Sequence, residues 1–194
     1  MPDGVPAWVH AAPLGAARWK LVRITRRGVG MTLAAVPFWA AMAGVAAFAG
    51  LDPATLALFF VIARALVYPA GYLLNRALGG DLAARGSELR GIVGAITVGQ
   101  LLGWPLVIAL LAMEVRLVAF ALAAMLGAHF LPYGWLYRAP AYYASGVVGA
   151  VVGAALQALA PAAANVAIPT AMALLYAVAG ASVWRRNRRE GASC

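Results

Sequence analysis

The sequence predicts an all-α polytopic membrane protein of six transmembrane helices with both termini in the cytoplasm. Of its 194 residues, 64% are apolar and 11% charged, whereas soluble domains carry about 45–50% and about 25%. Mean hydropathy is +0.86. The apolar residues also gather into six runs, each long enough to cross about 30 Å of hydrocarbon as a helix. Six spans of roughly 20 residues leave about 74 for termini and loops, too few for an added soluble catalytic domain of ordinary size.

The chain opens on a basic segment, 1–27, in which Leu14 to Arg27 carries Trp19 among five cations. That composition suits an interfacial helix drawn to anionic headgroups, and an ordinary positive-inside flank explains it equally. Thr25-Arg26-Arg27 followed by Ala47-Phe48-Ala49 has the outline of a twin-arginine signal and its cleavage site. The apolar run between is too long and hydrophobic for a signal, so the segment is expected to be retained as the first span.

The transmembrane domain, 28–184, comprises Val29–Gly50, Ala54–Leu74, Gly91–Met113, Leu117–Tyr137, Tyr142–Ala160 and Val166–Trp184. Charge, Pro or Asn separates the runs at Leu51-Asp52-Pro53, Asn75 to Arg90, Glu114 to Arg116, Arg138 to Pro140 and Pro161 to Asn165. The basic tail, 185–194, ends on Cys194, and one cysteine excludes an intramolecular disulfide framework. Of the 15 Lys and Arg residues, all but Arg64 and Arg116 fall on the side of the two termini. Positive residues stay cytoplasmic, and an even number of spans demands the same orientation. The net charge of +9 therefore reports topology, and no nucleic-acid partner is expected; the partner is the lipid bilayer.

Three spans lie on each side of Glu114, which predicts 3+3 halves of inverted orientation as in some transporters. Pro37-Phe38-Trp39 and Pro132-Tyr133-Gly134-Trp135 are a faint echo between them. Gly99 with Gly103, and Gly149 with Gly153, have the spacing that lets helices approach closely within the monomer.

Arg64 lies near the middle of the second span, where an arginine costs at least about 2.5–3.5 kcal/mol unless hydrated or partnered. The six acids, Asp3, Asp52, Asp81, Glu88, Glu114 and Glu190, all fall in loops, span ends or tails. No carboxylate is expected at its depth. Helical spacing aligns Arg64, Tyr68, Gly71, Tyr72 and Asn75 in one stripe, Thr97, Gln100 and Trp104 in a second, and His129, Tyr133 and Tyr137 in a third. These stripes suggest one shared lining, opening toward the cytoplasm. Pro37, Pro69, Pro105, Pro132 and Pro169 free backbone carbonyls within five spans, which also favours a polar interior.

Two readings of Arg64 stand. In one, tyrosine hydroxyls, the Gln100 amide and backbone carbonyls satisfy it and only hold helices together. In the other it awaits an anionic lipid or small-molecule ligand, with Gln100 and His129 orienting that molecule and Tyr68, Tyr133 and Trp104 lining the site. The second predicts binding, with transport as its extension. An isoprenoid cyclase or isomerase is the enzyme alternative, with Asp52 or Glu114 as the acid. A structural subunit of a membrane complex is the third. No metal-ligand spacing, nucleophile elbow, phosphate loop or cofactor motif is present, so no metal or cofactor is expected.

The segment from Gly127 to Arg138, with His129-Phe130-Leu131-Pro132-Tyr133-Gly134-Trp135-Leu136-Tyr137 at its heart and Tyr142-Tyr143 after it, resembles a bacterial membrane family catalogued as a domain of unknown function. The resemblance implies an all-helical protein of the bacterial inner membrane and supplies no activity. A fainter likeness is to small membrane-bound terpene cyclases, which would imply an aromatic-lined cavity with catalytic acids.

Overall fold

In the computed structural model, residues 14–191 are described; Asp3 and Cys194 lie outside them. The described residues are helical throughout, without strands: α1 (Leu14–Thr25), α2 (Val29–Phe48), α3 (Pro53–Ala77), α4 (Arg90–Leu101), α5 (Trp104–Met113), α6 (Val118–Leu136), α7 (Pro140–Leu159) and α8 (Ala164–Gly191). They form six stretches long and apolar enough to cross a membrane, with α1 and α2 in one and α4 and α5 in another. Large apolar side chains face outward along them, among them Leu58, Ile62, Leu66, Leu106, Ile108 and Val151. Exposed apolar surface of that extent is the kind that marks a membrane or protein contact.

Local chemistry sets the breaks. Asp52 caps α3, its Oδ1 accepting from the backbone N–H of Ala54 (3.0 Å) and Thr55 (3.1 Å), and Pro53 takes the first helical position. Between α1 and α2 the residues Arg26, Arg27 and Gly28 adopt left-handed φ of 51°, 56° and 63°, which L residues other than glycine rarely do. The chain turns there, and α1 folds across the end of the bundle. Its Leu21 and Val22 are buried in a cluster with Leu136, Tyr137 and Tyr142. Pro105 does more than kink its span. It has no N–H to offer the Leu101 carbonyl, and the helix stops at Leu101 and restarts at Trp104 with the proline in its first turn. By contrast Pro37, Pro69, Pro132 and Pro169 sit inside continuous helices. Beyond Trp184, α8 runs through the basic residues without a break.

The main core lies between α2, α3, α6 and α8, where Trp39, Phe60, Leu122, Ile168 and Met172 are almost fully buried. Two close approaches depend on glycine. A Cβ on Gly30 would lie 2.2 Å from the backbone N of Asn75, and one on Gly127 would lie 2.7 Å from the carbonyl of Gly146. The expected glycine pairs divide differently. Gly149 and Gly153 do pack within the chain, whereas Gly99 faces open space, because α4 has no neighbour on that side.

The two halves are packed unequally. The last span, α8, is seated firmly on α2 and α7, while α4 and α5 touch α6 and α5 also touches α3. In α4 and α5 only Val93 and Val107 are buried. That looseness leaves a gap inside the bundle.

Candidate functional site

The gap is a cavity of about 560 Å³ lined from α2, α3, α4, α5, α6, α7 and α8. Arg64, Tyr68, Gln100, Trp104, His129 and Tyr133 all line it, so the three stripes read from helical spacing do converge on one space. One of them is narrower than expected. Of the α3 stripe only Arg64 and Tyr68 line the cavity; Gly71 packs on Met31, and Asn75 is fully buried elsewhere, accepting from the Gly30 N–H (3.0 Å) and donating to the Thr25 carbonyl (3.2 Å). Tyr72 and Tyr143 do not reach it.

Arg64 stands at the middle of α3 with 9% of its surface exposed. Among the described residues its Nε is buried without a hydrogen-bond partner, and no carboxylate lines the cavity. The sequence reading in which hydroxyls and the Gln100 amide saturate it is thus not the arrangement found. Gln100 Nε2 and the Tyr176 hydroxyl are likewise buried and unpartnered. Arg64 lies within electrostatic reach of Tyr176 and His129. Three residues that line one space, from α3, α4 and α8, therefore each carry a donor with no acceptor among the described residues.

A continuous set of rings forms one wall. Trp39 meets Tyr176 at 6.4 Å, Tyr176 meets Phe130 at 5.2 Å, and Phe130 meets Tyr142 at 5.0 Å between centroids. The series runs on from Tyr142 to Tyr137 (6.4 Å), to Tyr133 (5.0 Å) and to His129 (4.9 Å). Tyr133 also bonds Thr97 across the gap, hydroxyl to hydroxyl at 2.9 Å, tying α4 to α6.

The opening differs from expectation. A mouth toward the end bearing the termini is expected from the tyrosine positions, but at that end the lining residues Arg27, Tyr137 and Tyr142 are buried. The cause is α1, which folds over them together with the connection around Leu82. The exposed lining residues are Ala65, Tyr68 (52%) and Leu101 (58%). The cavity opens sideways, between α3 and α4.

The sequence reading missed Tyr176, Trp39, Phe130 and Arg27. Tyr176 was legible as the one tyrosine outside the cluster near the basic end, a polar group at mid-depth in α8. Arg27 was counted as a loop cation, yet it is 1% exposed. It donates from Nε to the Tyr137 carbonyl (3.1 Å), from Nη1 to Asn187 Oδ1 (2.6 Å) and from Nη2 to Glu190 Oε2 (2.5 Å). Asn187 in turn donates to the Arg26 carbonyl at 2.8 Å.

The acids of the enzyme alternative lie elsewhere. Asp52 and Glu114 are exposed at the opposite end and neither borders the cavity. Hydrogen bonds from Thr55, and from Ala54, hold the Asp52 carboxyl below the usual carboxylate range, the wrong direction for a proton donor near neutrality. The geometry that reading required is absent, because Asp52 is occupied in capping α3. Among the described residues no three His, Cys, Asp or Glu side chains are grouped to hold a metal.

Neither the curated proteins nor the solved structures contain a match to this chain. Residues 14–186, which hold every helix lining the cavity, match the family described as "Family of unknown function (DUF7010)", and the chain belongs to that family.

Proposed function

We propose that this is a multi-pass protein of the bacterial inner membrane whose cavity binds an amphipathic or anionic small molecule or lipid, drawn sideways from the bilayer between α3 and α4. The observation that carries this reading is the buried, unpartnered guanidinium of Arg64 beside an open space. An intramembrane cation is costly unless something compensates it. Since the described residues supply no anion there, the compensating group comes from a ligand. Gln100 and His129 orient that group, and Tyr68, Tyr133 and Trp104 line its seat.

Orientation follows from charge. The end that carries α1, the α3–α4 connection and the end of α8 holds the basic residues, which supports a cytoplasmic position for it. Transport is the natural extension, because the broken and loosely packed span α4–α5 is the element most able to move. The same exposed span supports a second reading, in which a partner subunit covers it.

The test is equilibrium binding in nanodiscs, with empty nanodiscs subtracted, of decanoate and naphthoate against decylamine and naphthylmethylamine. Anions should bind in preference to cations, and Arg64→Met should lose that preference at least tenfold. Equal binding of both charges, or full retention by Arg64→Met, would overturn the assignment. A protein that runs as a monodisperse monomer would remove the subunit reading.

A further inference from the structure

We infer that the cavity is shaped for a flat, ring-bearing molecule offering acceptor oxygens alone, a conjugated carboxylate or carbonyl compound, in preference to a single fatty chain. The inference rests on the binding reading above and names the class of ligand.

The polar half comes from the sign of what is missing. Among the residues that line the cavity, those with a buried polar atom lacking a hydrogen-bond partner are Arg64 at Nε, Gln100 at Nε2 and Tyr176 at its hydroxyl. Arginine has donors and no acceptor, an amide nitrogen is a donor, and a phenol donates readily. The other unpartnered acceptor of the bundle, Gln157 Oε1, lies outside the lining. A ligand that brought donors would leave these groups unpaired, and an unpaired buried donor is more costly than an unmade bond in water. The complement is an oxygen with lone pairs and no proton of its own to place.

The apolar half comes from the ring wall. From Trp39 to His129 the rings touch in unbroken succession, and facing them are Ala65, Val67 and Leu101. A rigid plane lies against such a wall with offset or edge contacts and has little rotational freedom to lose. An alkyl chain gains the same burial only by freezing its torsions. The space also continues from Arg64 toward Leu82 and Tyr137, where the bundle is closed. A headgroup held at Arg64 with its chain left in the bilayer would leave that part unfilled, whereas a fused-ring body fills it. The volume of about 560 Å³ falls within the range of sites that enclose a molecule of drug-like size.

The experiment is isothermal titration of the full chain in nanodiscs with four probes, namely naphthoate, naphthoquinone, naphthylmethylamine and decanoate. The expected result is that naphthoate or naphthoquinone binds at least tenfold tighter than decanoate, and that naphthylmethylamine does not compete. Naphthoate as the tighter of the two identifies a carboxylate ligand, and naphthoquinone identifies a neutral carbonyl. The variant Tyr176→Phe should weaken the preferred ring probe by about two- to tenfold, the worth of one neutral hydrogen bond, with unchanged thermal unfolding. Decanoate binding as tightly as the ring probes, or no binding of either ring acceptor, would overturn the ring inference while leaving an Arg64-dependent anion site standing. Naphthylmethylamine binding as well as naphthoate would overturn both.

Discussion

Two arginines are buried in this bundle, and they are opposites. Arg27 is 1% exposed and Arg64 9%. At Arg27 the backbone of α6 and two side chains of α8 converge on the guanidinium, so every nitrogen has an acceptor. At Arg64 no acceptor converges, and Nε remains bare beside a cavity. Burial alone therefore says little about what a charged residue does. What matters is whether the fold closes around it. Arg27 ties together the turn after α1, the end of α6 and the end of α8, as a structural joint. Arg64 has no such joint among the described residues, and that cost without a protein acceptor is what supports the ligand proposed for it.

The comparison breaks most sharply on stability. Arg27→Met should lower it by about 2–3 kcal/mol, less than the roughly 3–5 kcal/mol of a fully enclosed pair, because the Glu190 side chain is 33% exposed. Thermal unfolding in detergent should shift down accordingly, and an unchanged midpoint would mean the joint is dispensable. Arg64→Met has the opposite expected sign. Removing an uncompensated cation should leave the midpoint unchanged or raise it, by at most the about 2.5–3.5 kcal/mol that insertion of arginine costs. A fall matching that of Arg27→Met would show that Arg64 is held by protein groups after all.

A finer contrast lies between two tyrosines on the same ring wall. Tyr142 donates to the Arg27 carbonyl at 2.7 Å and pairs with the Thr32 hydroxyl at 3.1 Å, while the Tyr176 hydroxyl, beside the Trp39 indole N–H, has no acceptor for its own proton among the described residues. Tyr142→Phe should cost about 1–2 kcal/mol and Tyr176→Phe less than about 0.5 kcal/mol. Equal losses would place an unseen partner on Tyr176.

The fold was the legible part. Hydropathy separates spans from loops because oil admits few charges, and all six runs became helices, with Asp52-Pro53 and Arg138 to Pro140 marking boundaries as their chemistry requires. The six proposed lining residues were legible because spacing of three or four places side chains on one helical face. What spacing cannot give is which face turns inward, so Asn75 and Tyr72 were grouped with Arg64 when they belong to other contacts. Nor can it give long-range closure. The burial of Arg27 depends on Asn187 and Glu190, some 160 residues away. The roof over the cavity depends on three consecutive left-handed residues that no periodicity announces.

The smallest expected effect belongs to an exposed pair at the same end as Arg27. Lys20 Nζ lies 2.6 Å from Glu88 Oε1, with the two side chains 44% and 43% exposed. The bond from Lys20 holds the Glu88 carboxyl below the usual range. A carboxyl lowered in the folded state adds stability that is fully present above its unfolded value, near about 4.3, and is lost as pH falls through the folded value. Glu88→Gln should therefore unfold slightly below the parent chain at neutral pH and together with it in acid. Raising the salt should close the same small gap, since exposed charges are screened. Substituting Arg27 should cost the same at either ionic strength, because acceptors pressed against a buried guanidinium leave no room for counterions. If salt instead rescued Arg27→Met, the joint would be acting through long-range charge and not through contact, and the contrast with Arg64 would lose its structural basis.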